Sequence, residues 1–169
     1  MNEENTLFSI PVSRRKLMEI ERKFLVRALP EDLETFLCLQ IEQAYLCTDP
    51  VIRIRRENDS YYLTCKGEGM LAREECNLPM KEETYQKLLK KSEGTILSKK
   101  RYIIPLGKDL KAELDIFQGV WEGIRIVEVE FPDLAGADAF CPPSWFGEDV
   151  TFDGRYHNSW MSSHTPEDF

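Results

Sequence analysis

Charged residues two positions apart recur along this chain. Successive side chains of a β-strand point to opposite faces, so residues i and i+2 share a face. Glu19 and Glu21 form an acidic pair of this kind, and Arg53 and Arg55 form a basic pair. Across the predicted strands, such faces carry the acids Glu19, Glu21, Glu75, Glu113, Asp115, Glu128 and Glu130. They also carry the bases Lys23, Arg53, Arg55, Lys66, Arg73, Lys99 and Arg101.

The arrangement of the two charge sets indicates phosphate chemistry. The acids cluster in the first and last strands and the bases in the middle ones, so a sheet closed on itself would oppose them across a lumen. Arg and Lys bind phosphate oxygens, and carboxylates without His or Cys favour hard cations such as Mg²⁺ or Mn²⁺. A metal that joins phosphates to carboxylates, opposite a row of cations, forms a phosphoryl-transfer site. For any single strand, the alternative is an ordinary sheet with its charges in water.

The elements that must position these charges are mostly strands. The pattern predicts strands at 19–26, 43–47, 51–56, 60–66, 72–78, 95–104, 111–117 and 124–131. Helices are predicted from Pro30 into Phe36 and Leu37, and over 81–92, 133–140 and 153–163. Many strands and few helices indicate an α+β, mainly β fold, in which helices pack outside a largely antiparallel sheet.

Length and composition limit the classes of protein. With 169 residues, of which 42% are hydrophobic, the chain predicts one domain over 18–163, an N-terminal extension at 1–17 and a C-terminal tail at 164–169. The net charge of −8 argues against DNA binding, and no apolar run reaches the length of a membrane span. Five cysteines without a C-x-x-C pair indicate reduced thiols in the cytoplasm, and two histidines argue against a zinc site. The sequence is compatible with a homodimer and does not decide the oligomeric state.

Several motifs, in order, resemble those of the triphosphate tunnel metalloenzymes, the CYTH superfamily. Glu19-Ile-Glu-Arg-Lys23 resembles the E-x-E-x-K signature of that family. The resemblance continues through Gln43-Ala-Tyr-Leu46, Arg53-Ile-Arg55, Leu63-Thr-Cys-Lys66, Arg73-Glu-Glu75, Lys99-Lys-Arg-Tyr102, Glu113-Leu-Asp115, Val127-Glu-Val-Glu-Phe131 and a C-terminal segment that includes Arg155. One departure is Asn77, which stands where the family often has a glutamate.

The resemblance implies a closed eight-stranded antiparallel tunnel and metal-dependent chemistry on triphosphates. It implies metal ligands at Glu19, Glu21, Glu113, Asp115, Glu128 and Glu130, with Glu75 and Asn77 also in the lumen. It implies substrate contacts from Lys23, Arg53, Arg55, Lys66, Arg73, Lys99, Arg101 and Arg155. Tyr45 is predicted to be the general base, with Lys23 lowering the pKa of its hydroxyl.

Short bacterial members of this kind resemble inorganic triphosphatases. The leading hypothesis is therefore hydrolysis of the terminal phosphate of tripolyphosphate with Mg²⁺ or Mn²⁺. The alternatives are an adenylate cyclase, a thiamine or nucleoside triphosphatase, and a polyphosphate-binding module without catalysis.

Overall fold

The computed structural model of the protein describes residues 17–169. Nine strands follow one another: β1 Leu17–Val26, β2 Leu37–Thr48, β3 Val51–Glu57, β4 Ser60–Lys66, β5 Ala72–Met80, β6 Glu93–Gly107, β7 Leu110–Gln118, β8 Arg125–Glu130 and β9 Phe146–Asp149. The described residues also form three α-helices: α1 Glu82–Leu89, α2 Leu134–Ala139 and α3 Asn158–Ser163. The predicted N-terminal extension lies outside the described residues except for Leu17, which begins β1.

Eight of the strands form a closed antiparallel barrel. The strand order is β5-β4-β3-β2-β6-β7-β8-β1, and β1 also pairs with β5, which closes the sheet. The register at the closure sets Glu19 opposite Arg73, and along the same strand Lys23 lies opposite Glu128. The ninth strand, β9, pairs with the end of β1 outside this ring. The predicted closed tunnel is thereby confirmed, with one additional strand.

The barrel keeps charged side chains inside and apolar side chains outside over most of its length. In β7, Ala112 and Leu114 are fully buried on the outer face, whereas Glu113 and Asp115 alternate with them on the inner face. The outer faces of β1, β6, β7 and β8 lie in a core with Phe131, Ala137 of α2 and Phe146 of β9. A smaller core joins Ala44 and Ile54 to Tyr85 of α1. Apolar area on the outside thus supplies the hydrophobic stabilisation that most barrels place inside.

One end of the barrel interior is apolar and closed. The residues of this closed end are Tyr45, Leu97, Phe117, Trp121, Ile126 and Met161 of α3, all almost fully buried. The indole Nε1 of Trp121 donates a hydrogen bond to the backbone oxygen of Met161 at 3.2 Å. The chain end, predicted as a tail, also packs here, since the ring of Phe169 lies 5.6 Å from that of Trp121.

The structure differs from the predicted elements in three places. The helix predicted after Pro30 is only a short 3-10 turn at Leu33–Thr35, because β2 begins at Leu37 and pairs with Ile103 of β6. The strand β9 was not predicted; it is four residues long and packs Phe146 against Phe24 at 5.1 Å between ring centres. The helix predicted at 153–163 is split into a 3-10 turn and α3, because His157 between them is extended.

Within residues 17–169, no helix is long and apolar enough to cross a membrane.

Candidate active site in the tunnel

A cavity of about 400 Å³ occupies the barrel interior. Tyr45, only 2% exposed, lines it at the closed end, and Leu37, 62% exposed, lines it at the mouth. Its acidic lining consists of Glu19, Glu21, Glu57, Glu75, Glu113, Glu128 and Glu130. Its basic lining consists of Lys23, Arg53, Arg55, Lys66, Arg73, Arg101 and Lys111. Strand alternation therefore brings most of the predicted charges, from seven of the eight barrel strands, together in one cavity.

Four predicted site residues do not line the cavity. Lys99 and Asp115 lie beneath its surface, where they form a fully buried ion pair with 2.5 Å between Nζ and Oδ2. Asn77 hydrogen-bonds Thr64 and Glu75 instead of lining the cavity. Arg155 is half exposed on the outside and pairs with Asp153 at 2.6 Å. The prediction that Arg155 is a tunnel cation is corrected, because its place beside a 3-10 turn directs it to the neighbouring carboxylate.

Arg101 forms ion pairs with three carboxylates from two neighbouring strands. Its guanidinium donates to Asp115 at 2.6 and 2.7 Å, to Glu128 at 2.8 Å, and also pairs with Glu113. Burial lowers the pKa of Lys99 to about 7, although Asp115 opposes the shift. These charges satisfy one another in a low-dielectric setting, so removing any one of them would leave an uncompensated buried charge.

Lys66 binds the carboxylates of two strands at the barrel closure. Its Nζ lies 2.8 Å from Glu19 Oε2 and 2.7 Å from Glu75 Oε2, and Arg73 Nε lies 3.1 Å from the same oxygen of Glu19. Burial opposes the ionisation of Glu75, but Lys66 and hydrogen bonds lower its pKa to about 2. Burial raises the pKa of Glu19 instead, with help from Glu21 and Glu75 and against Lys66. The two glutamates share one ammonium, so their titrations are coupled.

A second pair of acids makes longer salt bridges or none. Glu21 and Glu130 are register partners on β1 and β8. The cations nearest to Glu21 are 3.4 Å away, at Arg73, and 3.9 Å away, at Lys23. Within the described chain, Glu130 makes no salt bridge. Burial and the charges of Glu113 and Glu75 raise the pKa of Glu130 against the opposing charge of Lys111, which is the effect expected where negative charge accumulates.

Arg53 and Arg55 form the opposite case, positive charge without a close carboxylate. Arg53 donates to Thr64 Oγ1 at 3.1 Å, and Arg55 donates to Gln43 Oε1 at 3.1 Å. The only salt-bridge contact of either residue within residues 17–169 is the 3.9 Å separation between Arg55 and Glu57. The Nε atoms of both arginines are buried without a hydrogen-bond partner. Burial and the nearby charges of Arg53 and Arg101 lower the pKa of Arg55 to about 10.

The predicted dyad of Lys23 and Tyr45 is located at the inner part of the cavity, but its electrostatics differ from the prediction. Lys23 Nζ donates to Glu128 Oε1 at 2.7 Å, and Gln43 Nε2 donates to Tyr45 Oη at 3.1 Å. Burial raises the pKa of Tyr45, against the cations Arg53, Arg55 and Lys23, in that order. The expectation of a lowered pKa is therefore wrong for this arrangement, and Lys23 is the weakest of these three influences.

Several residues that line the cavity were not predicted by the sequence analysis. Glu57 and Lys111 continue the i, i+2 rows of Arg55 and Glu113, so the same alternation would have found them. His157, Asn158 and Ser159 line the cavity from the start of α3, where no strand pattern applies. Burial, together with Lys23 and Arg73, lowers the pKa of His157 to about 4, so its ring is neutral near pH 7.

The fold and the cavity define a class of protein: a closed β-barrel tunnel lined by arginines and lysines beside a cluster of carboxylates. The chain belongs to the CYTH domain family, whose model matches residues 17–132. It is 37% identical over 153 residues to an inorganic triphosphatase of Nitrosomonas europaea, covering 89% of this chain and all of the relative. It is 34% identical over 147 residues to an inorganic triphosphatase of Acetivibrio thermocellus, covering 83% of this chain and 90% of the relative.

Solved structures give the same result for the fold. The crystal structure of the inorganic triphosphatase NE1496 superposes with a TM-score of 0.66 at 36% identity, covering 88% of this chain and 96% of that chain. A conserved protein from Pyrococcus furiosus superposes with a TM-score of 0.54 at 20% identity, covering 72% and 83% of the two chains. At that identity the second likeness concerns the fold alone.

Proposed function

We propose that this protein hydrolyses the terminal phosphate of inorganic tripolyphosphate, with Mg²⁺ or Mn²⁺ as its metal. The observation that carries the proposal is the division of uncompensated charge within one cavity. Arg53 and Arg55 lack close carboxylates. Glu130 makes no salt bridge within residues 17–169, and Glu21 has only the longer contacts to Arg73 at 3.4 Å and Lys23 at 3.9 Å. A metal–triphosphate complex would supply an anion to the first pair and a cation to the second, so it would compensate both.

The donor atoms near Glu130 suit a hard divalent cation. All the acidic lining groups are carboxylates, and the raised pKa of Glu130 marks a place where a positive charge is favoured. Residues 17–169 contain no preformed group of three His, Cys, Asp or Glu ligands, so carboxylates now paired with Lys or Arg would need to turn. Glu21 and Glu130 would hold the metal, with Glu19, Glu113 and Glu128 as further ligands. Asp115 is the weakest of the predicted ligands, because two cations already engage it.

The chain's own residues would bind and orient the substrate. The forked guanidinium groups of Arg53 and Arg55 would bind the phosphate oxygens, and Arg73 would contact those nearest the carboxylates. A bound metal would withdraw charge from the phosphate oxygens. Water would attack the terminal phosphorus, the P–O bond to the diphosphate would break, and the water proton would pass to a base. Tyr45 remains the predicted base, and its raised pKa places the phenolate at alkaline pH.

The cavity lining favours an inorganic substrate over a nucleotide. Its aromatic rings are the phenol of Tyr45, at the closed end, and the imidazole of His157, so the lining offers little aromatic surface on which a nucleotide base could stack. Tyr62, the one aromatic residue predicted on a lumen face, is not part of the lining. The curated relatives named above are inorganic triphosphatases.

Phosphate release from tripolyphosphate, ATP and thiamine triphosphate, each with Mg²⁺ or Mn²⁺, tests the proposal. We expect tripolyphosphate to be turned over fastest, giving one phosphate and one diphosphate per molecule. An Arg155→Ala variant should keep full activity, because that side chain lies outside the cavity. ATP turnover ten times faster than that of tripolyphosphate would overturn the substrate assignment. Cyclic AMP formation would instead support a cyclase, and binding without turnover would support a polyphosphate-binding module.

A further inference from the structure

Two exposed cysteines lie directly opposite each other on the outside of the barrel. Cys65 of β4 and Cys76 of β5 are register partners in an antiparallel strand pair, and both are free thiols. Their neighbours Lys66 and Glu75 point into the lumen and form a salt bridge at 2.7 Å. Because strand side chains alternate, the two cysteines share the outer face.

The other three cysteines have no such partner. Cys38 lies opposite Tyr102, and Cys47 lies opposite Ile52. Cys141 lies in the loop between α2 and β9. Cys65 and Cys76 are therefore the two thiols that the fold places side by side.

The strand geometry suits a disulfide between them. Gly67 N donates to Glu74 O at 2.8 Å, so the pair two residues further along, Cys65 and Cys76, is also of the hydrogen-bonded type. The Cα atoms of such a pair are about 5.5 Å apart, inside the range of about 4.4–6.8 Å that disulfides need. The register is held on both sides, by Leu63 opposite Leu78 and by the Lys66–Glu75 salt bridge.

We propose that Cys65 and Cys76 form a reversible dithiol–disulfide site that reacts with small-molecule disulfides. One thiolate attacks a sulfur of the small disulfide, forms a mixed disulfide and releases one small thiolate. The second cysteine then attacks the protein sulfur of that mixed disulfide and releases the other. The two protons lost by the cysteines end on the released small thiols, so two protein thiols are oxidised and one disulfide is reduced.

The site differs from a structural disulfide because both sulfurs are at the surface. Exposed disulfides have more oxidising potentials than buried ones and are the ones that exchange readily. The cross-link would lie between the Lys66–Glu75 pair and the Thr64–Asn77 pair, whose side chains hydrogen-bond at 2.6 Å. It would therefore fix the two strands that carry Lys66 and Glu75 into the tunnel.

The test is peptide mapping of the full-length protein after incubation with oxidised glutathione and a quench with iodoacetamide. Trypsin cleaves after Lys66 and Arg73, so the two cysteines fall in separate peptides that only a disulfide can join. We expect a joined Cys65–Cys76 peptide without retained glutathione, and its loss on treatment with a dithiol reductant. In C65S and C76S, the remaining cysteine should instead retain glutathione. C38S removes an exposed thiol whose register partner is Tyr102 and not a cysteine, and it should behave as the wild type.

Three results would overturn the proposal. The first is wild-type protein that retains glutathione on Cys65 and Cys76 separately. The second is joining of Cys65 or Cys76 mainly to another cysteine. The third is a joined peptide that forms as fast in urea-unfolded protein as in folded protein, since native proximity would then have no part in it.

Discussion

Removing Arg53 should separate function from stability, because this arginine is buried but almost unpaired. Its side chain makes one hydrogen bond, to Thr64, and no salt bridge within residues 17–169, and its Nε has no partner. If it binds phosphate oxygens more strongly in the transition state, its loss costs about 2–4 kcal/mol of activation free energy. The tripolyphosphatase rate of Arg53→Ala should then fall by about 30- to 900-fold.

The same substitution should leave the fold intact or stabilise it. Losing the hydrogen bond to Thr64 costs about 1 kcal/mol, and removing the unpartnered buried donor returns about 1–3 kcal/mol. The melting temperature without substrate should therefore stay level or rise by up to about 8 °C, at about 2–4 °C per kcal/mol for this chain length.

Arg101→Ala is the matched control, because Arg101 pairs with three carboxylates. Its removal leaves buried acids uncompensated and should cost about 3–5 kcal/mol, or roughly 6–20 °C in melting temperature. Calorimetry and phosphate release on both variants check the two effects together. The reasoning is refuted if Arg53→Ala melts as low as Arg101→Ala, or if it keeps a rate within threefold of the wild type.

Further substitutions test the metal ligands, the general base and the stability of the fold at low pH. Glu130→Gln should raise the Mg²⁺ concentration for half-maximal activity more than tenfold, in a metal titration with Arg155→Ala as the unaffected control. The rate should keep rising with pH in the alkaline range, because burial raises the pKa of Tyr45, and Tyr45→Phe should flatten that rise; an unchanged profile would assign the base elsewhere. The lowered pKa of Glu75 gives stability that is present above about pH 4.5 and lost as pH falls toward about 2. Glu75→Gln should therefore make the melting temperature less dependent on pH between about 4.5 and 2, and an unchanged dependence would contradict that pKa.

Strand alternation was sufficient to predict which side chains enter the tunnel, because it depends only on backbone geometry. It could not predict depth along the tunnel axis. Glu113 and Asp115 share the inner face of β7, yet Glu113 lines the cavity and Asp115 lies beneath it in a pair with Lys99. Depth depends on where the closed end fills the barrel, and that is set by residues distant in sequence, such as Met161 of α3.

The C-terminal segment was the least predictable part of the site, because its position depends on tertiary contacts. His157 enters the cavity since α3 packs over the closed end, and Arg155, two residues earlier, points outside. Neither residue is in a strand, so no period in the sequence distinguishes them. The direction of the Tyr45 pKa shift was wrong for a related reason: the sequence identified a nearby cation but not the burial that outweighs it.

The charges inside this barrel are of two kinds, with different physical roles. Lys99, Asp115, Arg101 and Glu128 pair with one another, so each of these buried charges has a counter-charge within the fold, although burial still lowers the pKa of Lys99 to about 7. Arg53, Arg55 and Glu130 have no comparable partner, and Glu21 has only its longer contacts to Arg73 and Lys23. Further compensation of these charges must therefore come from a ligand. An inverted barrel is suited to this division, because its outer apolar cores stabilise the fold and leave the lumen free to hold charges that destabilise it until a metal and a polyanion bind.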